Sequence, residues 1–274
     1  MLSNSPFLTS PSTDQKQRLM EFISAAFIGV STLIAIAFWT VVLHGTTLFI
    51  LPIIGLDFSP TSSLLNIFIG LLAFSMGILT IFVFYMRRTK TPLTFLDINL
   101  PTRNDILYIF AGLISLFSIL LIVGFTFQYF GVETTSHSVE SIVSSTPELI
   151  LLLVPVSILI IGPLEELLYR NIIQKSLYRS FSPFGSIFLS SVIFAAVHMP
   201  AYSGESLFQN PLPALNTLFI IFILSFIIGI VYHQTKNLVA AALLHGIYDS
   251  IIFSIFYINV LSYATPSLYL HFLS

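Results

Sequence analysis

The sequence predicts an all-α protein, a polytopic transmembrane bundle of about seven spans, and three observations predict it. Hydrophobic residues make up 56% of the 274 positions. Charged residues make up only 8%, about a third of the share in a soluble domain. The apolar residues gather into runs of twenty or more, the length that crosses a bilayer as helix. A net charge of −2 argues against a nucleic-acid partner. The absence of cysteine excludes disulfides, thiolate metal sites and a cysteine nucleophile. The expected partners are therefore the lipid bilayer and whatever reaches it.

Residues 1–18 are polar and rich in Ser and Thr, and read as a flexible tail. The run from Phe22 to Leu43 exceeds a signal-peptide core and reads as a retained first span over 20–43. Further spans are expected at 63–86, 106–130, 148–177, 183–199, 214–233 and 237–258. Residues 48–56 are apolar but short and contain Pro52, so they read as an interfacial or re-entrant piece, or as part of an eighth span. Residues 259–274 form a short aromatic tail.

Basic residues orient the spans. Lys16 and Arg18 precede the first; Arg87, Arg88, Lys90 and Arg103 follow the second; Lys175 and Arg179 follow the fourth; Lys236 follows the sixth. With alternating spans all nine fall on one side. The opposite loops carry Asp57, Glu133, Glu140 and Glu205. The positive-inside rule then puts the N-terminus in the cytoplasm, and the plasma membrane of a prokaryote is the expected location.

The fourth span has a legible start. Thr146 suits a cap, Pro147 the first turn, and Glu148 the positive helix end. Pro155 and Pro163 interrupt its ladder, and Gly162-Pro163 predicts a kink just before Glu165. There three charges fall within six positions: Glu165, Glu166 and Arg170. An ionisable group inside a bilayer costs roughly 2.5–3.5 kcal/mol on insertion scales, so such groups are paired or used. Glu166 and Arg170 are i, i+4 and can pair, which leaves Glu165 free.

Two later spans carry further ionisable pieces. Phe194 and His198 are i, i+4, as are His245 and Asp249. A carboxylate near a neutral histidine can act as general base on water, and a second histidine can donate to an oxyanion. Two histidines and a glutamate are also a catalytic zinc set, which would make Glu165, His198 and His245 the ligands. The residues allow both, so zinc stays open as a cofactor. Phe194 reads as packing, and His44, His137, His233 and His271 as interfacial histidines. A proton-coupled transporter and a non-catalytic scaffold or immunity protein are the competing classes.

Glu-Glu-x-x-x-Arg, then Phe-x-x-x-His, then His-x-x-x-Asp, in that order, resembles the CPBP family of intramembrane proteases, which includes the CAAX prenyl endopeptidases and the Abi proteins. The resemblance covers roughly residues 145–258. It implies a catalytic core there; residues 19–144 are expected as N-terminal transmembrane helices that carry no recognised motif. It further implies an intramembrane endopeptidase, a hydrolase of the glutamate or metalloprotease type, acting on a membrane-associated peptide or protein. Glu165 would be the base, with Glu166 supporting the site and pairing with Arg170. His198 would help activate water, and His245 with Asp249 would polarise the scissile carbonyl. The prenyl endopeptidase branch usually has Asn at the last position. An ionised Asp249 cannot donate to an oxyanion, so its implied task is to orient His245.

Overall fold

The computed structural model describes residues 7–11, 14–55, 62–135, 146–202 and 210–264. Asp57, His137, Glu140, Glu205 and His271, and the tail beyond 264, lie outside the described residues. Among the described residues seven apolar helices make up the bundle: α1 (Gln15–Ile53), α2 (Ser63–Thr89), α3 (Arg103–Phe130), α4 (Glu148–Leu177), α5 (Pro183–Val197), α6 (Leu212–Thr235) and α7 (Leu238–Ala264). Six of them are long and apolar enough to cross a membrane, and α5 is the short one.

Local chemistry sets several boundaries. Asp14 caps α1 by accepting from the Gln17 amide at 2.6 Å. Residues 48–53 simply continue α1, so no separate interfacial piece or eighth span forms there. Pro52 sits in the last turn, so the ladder bond it removes lies next to the end of the helix. Arg87 and Arg88 occupy the last turn of α2, where cations complement the helix dipole. Thr102 and Asp105 form a reciprocal capping box at the start of α3. The expected Thr146 cap is not made: Pro147 takes the cap position without a side-chain bond, and the Thr146 carbonyl accepts from the Leu149 amide instead.

The two prolines of α4 leave a distinctive trace. The helix widens into π turns at Ser157–Ile161 and Leu167–Gln174, on either side of the α-helical Gly162–Glu166. Such bulges re-pair backbone groups that a proline leaves without partners, and they concentrate at functional sites. The expected interruption before Glu165 is thus met by wider turns.

Three apolar clusters hold the bundle. One joins α1, α2, α4 and α5 through Ala25, Ile78, Leu168, Ile172, Ile193 and Phe194. A second joins α3, α6 and α7 through Leu116, Ile228, Tyr232, Ala241 and Leu244. A third joins α2, α4 and α7 around Ile67, Ile150 and Leu153. Between α4 and α7 the backbones nearly touch. A Cβ placed on Gly246 would lie 2.6 Å from Ile158 Cα and 2.7 Å from the Ser157 carbonyl oxygen, and one on Gly162 would lie 2.8 Å from the Ala242 carbonyl oxygen. Helices in lipid gain little from apolar burial against each other, so small residues and hydroxyl bridges set their approach. Ser250 supplies such a bridge, donating from α7 to the Val154 carbonyl at 2.7 Å.

Gly246→Ala is expected to lower stability in detergent by about 1–3 kcal/mol, the usual cost of overpacking. Gly124→Ala, where a Cβ meets nothing within 4 Å, should leave stability unchanged. Parallel denaturant-unfolding curves of the two variants check this.

Candidate active site

Residues from α4, α5 and α7 converge at the Gly162–Gly246 crossing. Glu166 and Arg170 pair along α4, with Arg170 Nε donating to Glu166 Oε2 at 2.7 Å. Both side chains are fully buried. An ion pair so buried persists only when its remaining hydrogen-bonding groups are also satisfied. Glu166 Oε1 accepts from His245 Nδ1 at 2.8 Å. Arg170 donates through Nη2 to Ser225 Oγ at 2.9 Å, and through Nη1 it faces Gln174 Oε1 at 3.5 Å.

Glu165 points to the other side, as its rotation of about 100° from Glu166 requires. Its Oε1 stands 3.8 Å from His198 Nε2 and its Oε2 3.8 Å from His245 Nε2. These separations exceed a direct hydrogen bond and suit a bridging water. Asp249 Oδ2 lies 3.4 Å from His245 Nε2. All six residues singled out from the sequence therefore meet in one place.

Hydrogen bonds assign the imidazole tautomers. His198 Nδ1 lies 2.6 Å from the Phe194 carbonyl, which can only accept, so Nδ1 carries the hydrogen. Nε2 of a neutral His198 is then a lone pair facing Glu165. His245 Nδ1 likewise donates to Glu166, a carboxylate held by arginine. Both rings thus commit Nδ1 to an anchor and present Nε2 to Glu165. Phe194 packs among them, its ring centroid 4.4 Å from that of His198 and 4.6 Å from that of Tyr169. It is packing, and it also orients both histidines.

The lengths of the helices explain how His198 reaches this depth. The fifteen residues of α5 rise about 22 Å, short of the roughly 30 Å hydrocarbon core. The regular helix stops with His198 at its C-terminal cap, and the short helical turn Met199–Tyr202 follows it. Glu165 is nearly buried, while the side chains of His198 and Asp249 keep 21% and 23% of their surface exposed. The site opens on that side. Among the described residues no group of three or more His, Asp or Glu is placed to hold a metal ion. Of the residues expected as a zinc set, Glu165 stands 3.8 Å from Nε2 of both His198 and His245.

The sequence reading passed over Ser225 and Gln174. The signal was present: Gln174 continues the i, i+4 ladder of Glu166 and Arg170, and Ser225 is a hydroxyl within the apolar run of α6. His44 and His233 stand away from the site. His44 bonds the Thr40 carbonyl and Asn66, and His233 meets Tyr178 and Lys236.

No curated protein and no solved structure matches the chain. One family model does match, described as Type II CAAX prenyl endopeptidase Rce1-like, over residues 147–251. That range begins at the start of α4 and ends just past Asp249, so it encloses the whole constellation. With six helices able to span a bilayer, the chain is an integral membrane protein. Its 147–251 segment is similar to the Rce1-like type II CAAX prenyl endopeptidases.

Proposed function

We propose that the protein is an intramembrane endopeptidase that hydrolyses a peptide bond in a membrane-associated peptide or protein. The observation that carries this reading is the convergence of two imidazole Nε2 atoms on the two oxygens of Glu165, each at 3.8 Å. A water lodged between Glu165 and His198 would give one hydrogen to the carboxylate and the other to the His198 lone pair. Glu165 removes its proton as the oxygen attacks the scissile carbonyl carbon. His245, held between Glu166 and Asp249 as an imidazolium, keeps its Nδ1 hydrogen on Glu166 and donates its second hydrogen, on Nε2, to the oxyanion that forms. Asp249 orients that ring and does not touch the oxyanion. Glu165 then returns the proton to the leaving amine as the C–N bond breaks, so the carboxylate is restored. Phe194 and the apolar faces around it limit access of bulk water.

In this reading residues 145–258 form the catalytic core. Residues 19–144 brace it; of the expected tails 1–18 and 259–274, residues 15–18 and 259–264 belong to α1 and α7. The basic residues belong to the cytoplasmic face, which puts the N-terminus inside, in the plasma membrane of a prokaryote. Lys16 and Arg179 line a single cleft of about 450 Å³, which supports a shared basic end. The family it resembles is that of prenyl endopeptidases, and a prenylated C-terminal peptide is the first substrate to try.

Glu165→Gln and His198→Ala are each expected to reduce cleavage by about 10²–10⁴-fold, the share a positioned acid–base group supplies. Hydrolysis of prenylated and unprenylated peptides by purified protein in liposomes, with folding followed by gel filtration, checks this. Full activity in either variant would sink the reading. Arg170→Met is expected to lower stability by about 3–5 kcal/mol, because it strands the Glu166 charge in the bundle. Adding Glu166→Gln should restore part of that stability without restoring cleavage, as thermal melts and peptide assays on the double variant would report.

A further inference from the structure

The third helix of the core segment, α6, contributes no residue to the reacting centre, yet it surrounds the far side of Arg170. We infer that Ser225 and Gly229 of α6, together with Gln174 of α4, form a clamp that sets the position of His245 through Arg170 and Glu166. The inference rests on the endopeptidase reading of that site.

The clamp follows from the donor geometry of Arg170. A guanidinium has five N–H donors in a rigid planar fork, so fixing several of them fixes the plane. Here Nε holds Glu166 Oε2 at 2.7 Å, Nη2 holds Ser225 Oγ at 2.9 Å, and Nη1 faces Gln174 Oε1 at 3.5 Å. Ser225, Arg170 and Gln174 are all fully buried, so water does not compete for these bonds. Gln174 is itself held, donating to the Gly229 carbonyl at 3.1 Å and to Tyr178 Oη at 2.7 Å.

Gly229 supplies the room. A Cβ there would lie 2.9 Å from Ile187 Cγ2, 3.0 Å from Gln174 Oε1 and 3.3 Å from Arg170 Nη1. The guanidinium and the amide can rest against α6 only because position 229 has no side chain. Ser225 and Gly229 are i, i+4, so one face of α6 carries both the hydroxyl and the cleft. From Ser225 the connection to the reacting centre is short: Ser225 to Arg170, Arg170 to Glu166, Glu166 to His245 Nδ1 at 2.8 Å. These are positioning residues, and none of them reaches the Nε2 atoms that face Glu165.

A positioning role predicts a loss in turnover without a loss in substrate binding. Ser225→Ala, which removes one oxygen, is expected to lower kcat by about 10- to 100-fold with KM within about twofold, the scale at which a small misplacement acts. Ser225→Thr keeps the hydroxyl and should recover most of kcat. Gln174→Met and Gly229→Ala should lower kcat in the same way. Peptide cleavage by purified variants in liposomes reads kcat and KM, and thermal melts monitor folding. Wild-type kcat in Ser225→Ala, a rise in KM alone, or equal loss in Ser225→Ala and Ser225→Thr would each overturn the clamp. Glu165→Gln separates the two ideas. If it is inactive while Ser225→Ala cleaves normally, the clamp alone fails; if Glu165→Gln cleaves normally, the endopeptidase reading fails.

Discussion

A single buried ion pair organises this protein. Glu166 and Arg170 meet at 2.7 Å with no exposed surface, in a bundle surrounded by lipid. Neither charge is tolerable alone in such a place, so each polar atom around them must be matched. That requirement reaches outward. Glu166 uses its second oxygen on His245, and Arg170 uses its remaining donors on Ser225 and Gln174. Three helices are thereby bound to one ion pair, and the orientation of the His245 ring follows from it.

Backbone proximity is the second constraint. The polar groups can meet because α4 and α7 cross over glycines, with Gly246 against the Ile158 backbone and Gly162 against Ala242. The same stretch of α4 carries two π turns flanking Glu165 and Glu166. Proline removes donors there, and the wider turns and the Ser250 bridge from α7 restore partners for the backbone. The features that look like defects in a helix are thus the ones that shape the site.

The histidines divide their nitrogens in a way suited to catalysis. Each commits Nδ1 to an anchor, the Phe194 carbonyl for His198 and the Glu166 carboxylate for His245. Each then presents Nε2 to a different oxygen of Glu165. Fixed donors and acceptors need little reorganisation when charge develops, which is where most electrostatic catalysis originates.

The sequence by itself determined the fold class, the number of apolar helices and the six polar residues that meet. Runs of apolar residues are long enough to leave few alternatives in a bilayer, and charges in such runs are too costly to be incidental. The i, i+4 spacing also sufficed to pair Glu166 with Arg170 and leave Glu165 free. It could not place His198 at the depth of Glu165, because depth depends on where a short α5 stops among its neighbours. Nor could it reveal the roles of Ser225, Gln174 and Gly229, which are ordinary residues in apolar helices until Arg170 reaches them. Contacts between residues 55 positions apart, such as Arg170 with Ser225, are decided by helix packing, and no local pattern encodes them.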